Sequence, residues 1–388
     1  MNRVYTQTAQ GQGWLRRYLG HRPRLACVLG FTATGLLPGI SAAGATAADR
    51  QTTAIADAEF LYHGVTAVPQ YPLPALTEGV SPVLISRAIV AAQRLPLLLF
   101  NAGLPVAPTV PHIDLKGAPA ACVSTGQAMA RPQVEQLFRL GVAWGHRLGN
   151  EADSDYIILG ECVVGGTTTA LALLLGLGYP VAGMVGSSHA VCNHAQKQAI
   201  ATQGLAHWQA RHPPTQPRHP LDLVAAIGDP MQVVVAGMAI SASCHGGVLL
   251  AGGTQMLAVY ALARALANCY HLPWLPERIV VGTTRWVATD PTCDTVGLAD
   301  LIGQVPLIAT DLSFAASQYE PLRQYEAGFV KEGVAAGGCA ISATLYQNWR
   351  QSQILHAVET VYAQLHQQQN QPPAGIIAEA GAGGKPTP

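Results

Sequence analysis

Charged residues are scarce in this chain: they make up 11% of 388 positions and cancel to a formal net charge of zero. Without a basic field there is nothing to hold a polyanion, and no acidic tail is apparent, so nucleic acid is excluded as a partner. Long apolar runs are also missing. Nothing reaches the ~18 uninterrupted residues of a membrane span, so no membrane association is expected. Arg16-Arg17, the apolar stretch 25–40 and the small residues that follow resemble a secretory leader. Thr32, Thr34, Gly35, Pro38 and Gly39 interrupt that stretch, and a strand followed by a loop accounts for it better.

The eight cysteines, at 27, 122, 162, 192, 244, 269, 293 and 339, never form a C-x-x-C. Scattered cysteines in a chain of this size suit free thiols in a reducing compartment, and a cytoplasmic location is expected. Cys192 lies near His194 and Cys244 precedes His245, but neither has a matching second pair. No metal site is expected on that ground. No lysine follows the glycine pairs, which excludes a Walker loop, and G-x-G-x-x-G does not occur at them.

What is plentiful is small and apolar: 49% hydrophobic residues and 40 glycines. Short solid apolar runs alternating with helical stretches predict an α/β fold built on a parallel sheet. Strands are predicted at 24–30, 97–100, from 156, at 181–185, 247–251, 278–282 and 306–310. Residues 1–23 read as a loose extension, 32–48 as a loop, and 101–126 as a long loop with four prolines. Residues 366–388 turn from Gln-rich to Gly/Ala/Pro-rich and read as a disordered tail.

One stretch organises the rest. An apolar run from Tyr156 leads to Gly160-Glu161-Cys162-Val163-Val164-Gly165-Gly166-Thr167-Thr168-Thr169-Ala170 and an Ala/Leu-rich helix. A helix start offers unpaired N–H groups and a positive dipole end, and glycine lets an anion approach the backbone. The pattern recurs at 247–256, where Gly252-Gly253-Thr254 links a strand to an apolar helix. Two such turns on one sheet edge predict a phosphate-binding cleft at Gly165, Gly166, Thr167, Thr168, Gly252, Gly253 and Thr254. Ordinary tight strand-to-helix turns are the plainer reading. Ser41 and Gln127 are candidates to line a base pocket.

Three segments together carry a resemblance: Pro38-Gly39-Ile40-Ser41-Ala42-Ala43-Gly44, the Gly160–Ala170 stretch, and Leu250-Ala251-Gly252-Gly253-Thr254-Gln255-Met256. Gly228-Asp229-Pro230-Met231 and Lys331-Glu332-Gly333-Val334-Ala335-Ala336-Gly337-Gly338 add to it. Over roughly residues 24–365 the chain resembles the archaeal and cyanobacterial branch of the nicotinate-nucleotide–dimethylbenzimidazole phosphoribosyltransferases. The resemblance implies a homodimer with a Rossmann-like parallel sheet flanked by helices and a smaller domain from the two chain ends. Here that means about 24–80 and 320–365 around a large domain at about 81–319.

It also implies transfer of phosphoribosyl from nicotinate mononucleotide to 5,6-dimethylbenzimidazole or a similar lower base of cobalamin, without metal or organic cofactor. By the family's Glu-Gly-x-Gly-Ala pattern Glu332 is the general base, with Ala335 standing where the second glycine is expected. Cys162 and Val163 stand where the family's Gly-Glu-Met-Gly turn has Met and Gly. The residue types suit this chemistry: Glu161 can face positive charge developing on the ribose, and Glu332 can take the acceptor's N–H proton. Two other readings stay open. One is a non-enzymatic nucleotide-binding or sensor protein on the same fold. The other is the same transfer to a purine such as adenine.

Overall fold

The computed structural model describes residues 2–150, 155–212 and 219–369. Among them eight strands form one sheet: β1 (Asn2–Val4), β2 (Pro23–Gly30), β3 (Leu97–Gly103), β4 (Ile113–Asp114), β5 (Tyr156–Cys162), β6 (Gly247–Ala251), β7 (Ile279–Thr284) and β8 (Leu307–Thr310). The order is β1-β8-β7-β6-β5-β2-β3-β4, parallel throughout except for β1 against β8. The fold is thus the α/β sheet flanked by helices that the sequence predicts.

Alternation along each strand splits the core in two. Ala26, Val28, Ile157, Leu159, Val248 and Leu250 join one buried cluster; Leu25, Cys27, Leu29, Ile158, Leu249 and Val280 join the other. Burial on both faces explains why the strands read as continuous apolar runs. Helices Arg131–Asn150 and Pro230–Ser243 pack closely on each other within the first cluster. Helix Val83–Ala92, with Ala336–Gln347 and Gln351–Gln369 from the far end of the chain, belongs to the second.

The chain steps outward from β5 through β6, β7 and β8, and in the other direction from β2 through β3 and β4. The order therefore reverses between β2 and β5. Helices leaving the two strands diverge at such a point and open a crevice beyond the strands' carboxyl ends.

Four local expectations are corrected. The start of the chain is not loose: β1 pairs with β8, helix Thr8–Arg17 follows, and Trp14 and Tyr18 are buried against Tyr156. Residues 181–185 are not a strand. Only Val181 and Val185 of that run are buried, a spacing of four rather than two, and the segment turns. The predicted loop 32–48 ends early, because helix Ala47–His63 starts there. Thr46 and Asp49 cap it reciprocally: the Thr46 hydroxyl accepts from the Asp49 amide, and the Asp49 carboxylate accepts from the Thr46 amide at 2.9 Å. At the other end, helix Gln351–Gln369 extends past 366; the rest of the predicted tail lies outside the described residues.

Candidate active site

The crevice at the β2/β5 reversal is a cavity enclosing about 1040 Å³ of space open to solvent. Glu161 stands at its floor, on the carboxyl end of β5, and is 2% exposed. Its Oε2 accepts from the Val163 amide at 3.1 Å and its Oε1 from Gln255 Nε2 at 2.7 Å. Gln255 belongs to the second Gly-Gly-Thr unit, so Glu161 ties the two turns together. The strand register makes this possible by setting Gly160 beside Ala251. Burial, then repulsion from Asp229 and Glu332, pushes the Glu161 carboxyl up to about 8.

Both turns need glycine for their backbone. Gly165 has φ +85°, Gly252 +155° and Gly253 +56°. A side chain on Gly165 would also strike the Gly35 backbone at 2.8 Å. Gly165, Gly166, Thr167, Gly252 and Thr254 line the cavity. Thr168 is fully buried and lies off its lining, as does Gly253, whose Cβ position faces Val287 and Thr283. Thr169 turns inward and donates to Asp229 Oδ2 at 2.5 Å. Asp229 in turn caps helix Pro230–Ser243 and is fully buried.

Glu332 enters from the opposite end of the chain. Its Oε2 accepts from Thr283 Oγ1 at 2.9 Å and the Thr284 amide at 3.0 Å; its Oε1 accepts from the amides of Gly337 at 3.0 Å and Gly333 at 3.2 Å. Burial raises its pKa, and these four donors, led by Gly337, pull it back down. The Val334 amide donates to the Glu161 carbonyl at 3.1 Å, which fastens the two carboxylate segments to each other.

The backbone around Glu332 is strained. Val330, Lys331, Val334 and Ala335 all have φ between +50° and +65°. Each such residue costs on the order of 1–3 kcal/mol, and a β-branched residue is least suited to the region. Ala335 stands where the resemblance expects glycine, and its conformation is one that glycine adopts freely. Gly160 leaves room for its methyl: a Cβ there would lie 2.6 Å from Ala335 Cβ.

The phosphoribosyltransferase family matches residues 39–275. This chain belongs to that phosphoribosyltransferase family. A UPF0284 protein of Trichodesmium erythraeum is 60% identical over 94% of this chain and 98% of its own length. One from Nostoc sp. is 59% identical over 92% and 98%. These relatives set it in the cyanobacterial branch. Among solved structures, nicotinate-nucleotide-dimethylbenzimidazole phosphoribosyltransferase from Thermus thermophilus aligns with a TM-score of 0.53 at 17% identity, covering 92% of both chains. A CobT structure from the same organism gives 0.56 at 19%, over 90% of this chain and 92% of that one. At those identities the likeness is one of fold.

Of the two base-pocket candidates in this phosphoribosyltransferase, Ser41 lines the cavity. Gln127 does not: it is exposed, just after a 3-10 turn that packs on helix His194–Arg211. Sequence reasoning missed several cavity residues. Asp57, on helix Ala47–His63, accepts from Ser81 Oγ at 2.7 Å, and burial pushes its carboxyl up to about 6. Lys331 is 2% exposed and pairs with Asp290 Oδ2 at 2.5 Å. A lysine next to the motif glutamate was visible, but its partner comes from a distant loop and left no local pattern. No helix of the described residues is long and apolar enough to cross a membrane.

Proposed function

We propose that the protein transfers phosphoribosyl from nicotinate mononucleotide to an aromatic base, 5,6-dimethylbenzimidazole or a related lower ligand of cobalamin. The observation that carries this reading is the meeting of Glu161 and Glu332 at one cavity whose rim holds two Gly-Gly-Thr helix starts. The donor's pyridinium is cationic, and its ribose gains positive charge as the glycosidic C–N bond breaks. Carboxylates held at the cavity favour that charge. The phosphate suits the helix starts at Gly166 and Gly253, and the apolar wall of Pro74, Leu76, Pro82 and Val330 suits a planar base.

In the transfer the C1′–N bond breaks and its electron pair stays on the nicotinate nitrogen. The acceptor's ring nitrogen bonds to C1′, and its N–H proton passes to Glu332. The contact from the Gly333 amide is the longest of the four on Glu332 and the one an incoming N–H can replace. One observation favours exchanged roles. Among the described residues Glu161 accepts two hydrogen bonds of the roughly four a carboxylate can take, and a carboxyl near 8 is close to working pH. A homodimer in the cytoplasm completes the proposal.

The test is to incubate purified protein with nicotinate mononucleotide and dimethylbenzimidazole, benzimidazole or adenine in turn. Released nicotinate and the phosphoribosylated base are then measured, and size is taken from light scattering. Turnover with at least one base is expected. No turnover with any of them, with the donor still bound, returns the protein to a nucleotide-binding role.

A further inference from the structure

One cluster at the cavity wall has no part in the transfer. Cys192, just before helix His194–Arg211, and Cys293, in the loop before helix Thr295–Ile302, come together with Asp290. The two sulfurs and a carboxylate oxygen lie within 4.8 Å of one another. The loops are already joined: the Cys192 amide donates to Thr292 Oγ1 at 3.2 Å, and His194 Nε2 meets the Thr292 carbonyl at 2.5 Å. A Cβ placed on Gly186, a cavity-lining residue, would stand 3.5 Å from Cys293 Sγ.

The charge around the cluster is wrong for a cation. Lys331 Nζ sits on Asp290 Oδ2, and buried Lys197 stands behind, donating to the carbonyls of Val185 and Gly186. Cys192 Sγ meets Asp290 Oδ2 at 3.8 Å, which favours its thiol, and the Lys331 ammonium on that same carboxylate offsets it toward the thiolate. The Cys293 thiol, then the hydroxyls of Thr292 and Ser187, hold the Cys192 sulfur well below the usual thiol range, while Cys293 itself is pushed up. Cys192 is also buried, at 8% exposure, but its neighbour Cys293 is part-exposed and opens the pair to small molecules; Cys27, Cys162 and Cys339 lie in the core, and burial raises all three. A nucleophilic sulfur with a second thiol at its side is the arrangement of an oxidisable pair.

We propose that Cys192 and Cys293 are a reversible oxidation site, closed to an intramolecular disulfide by a small-molecule disulfide, and that closure slows the transfer. The Cys192 thiolate attacks one sulfur of R–S–S–R, forming a mixed disulfide and releasing one R–S⁻. Cys293 gives its proton to solvent and attacks Cys192 Sγ, forming the Cys192–Cys293 bond and releasing the second R–S⁻. The two protein sulfurs lose two electrons and the external disulfide gains them; the one proton released by Cys293 offsets one of the two departing thiolates, and the other carries the negative charge that Cys192 brought. Bonded sulfurs stand about 2 Å apart, so closure draws the Ser187-Ser188 wall toward the Asp290 loop. Ser188 holds the Ala42 and Val330 amides, and Asp290 holds Lys331 beside Glu332, so both sides of the cavity feel the shift. The bond is independent of the reaction proposed above; only its effect on turnover rests on that reading.

The test treats reduced full-length protein with excess oxidised glutathione. Free thiols counted in denaturant should fall from eight to six, peptide mapping should join Cys192 to Cys293, and dithiothreitol should restore all eight. Cys293→Ser should trap glutathione on Cys192, and Cys192→Ser should lose no thiol pair. Nicotinate release should drop severalfold on oxidation and recover on reduction. Eight unchanged thiols, a different cysteine pair, or glutathione persisting on Cys192 of the parent would overturn the site. A complete cross-link with unchanged turnover would overturn its regulatory role. Thiol count and peptide map decide the first point even if no base is turned over.

Discussion

Glu161 and Glu332 face the same cavity and are held in opposite ways. Glu161 is deeply buried, takes two hydrogen bonds and sits near two other carboxylates, so its charged form is disfavoured. Glu332 is half-buried and meets four donors, three of them backbone amides: Thr284 at a strand end, Gly337 at a helix start and Gly333 in the loop before that helix. The first can change charge when a cationic ligand arrives. The second is fixed in place, and the strained backbone on either side of it shows what that fixing costs. The transfer proposed above meets a cation, binds an anion and removes a proton, and would gain from having one carboxylate of each kind.

The sharpest way to break this comparison is Glu332→Gln. Nicotinate release should fall by about 10²–10⁴, the usual worth of a general base, while donor affinity changes little; calorimetry and a turnover assay read both. The pH profile of kcat/KM sharpens it. A base must be ionised, so the rate rises with pH through its pKa. A limb that disappears in Glu332→Gln supports Glu332, whereas a limb near 8 that disappears in Glu161→Gln transfers the role.

Stability gives the next largest effect. The folded protein keeps the Glu161 proton up to about 8, while the unfolded chain loses it near 4.5. The fold is therefore penalised as pH rises through that window. Glu161→Gln has no such penalty, so its stability relative to the parent should improve between pH 5 and 8, by on the order of 2–4 kcal/mol. Urea unfolding at the two pH values checks it. Gly160→Ala should cost roughly 1–3 kcal/mol through overpacking against Ala335, and adding Ala335→Gly should recover part of the loss in Tm. The smallest effect belongs to Gln127→Ala. It lies away from the cavity and should leave kcat and KM unchanged.

The sheet and the two Gly-Gly-Thr turns were legible because their requirements are local. A strand buried on both faces must be apolar along its length, and a chain reversing tightly into a helix needs glycine at positive φ. The capping pair Thr46 and Asp49 was equally local, yet it straddles the end of a Gly/Pro/Ala-rich stretch read as loop, and so the first residues of the helix carrying Asp57 were taken for loop. The run 181–185 had strand composition but only two buried positions. Gln255 on Glu161 and Asp290 on Lys331 are different in kind. They join residues 94 and 41 positions apart, and they become neighbours only once the strand order is known. Composition carries no trace of such pairs.

The antiparallel pairing of β1 with β8 has a practical bearing on how the protein behaves outside its own fold. Three residues at the beginning of the chain cover a border of the sheet that would otherwise offer unpaired amides and carbonyls to any passing strand. Trimming a dozen or so residues from that end, a natural choice if they are taken for a dispensable leader, would strip this guard. The expected result is sticking between molecules and insoluble material, well before any loss of chemistry could be measured.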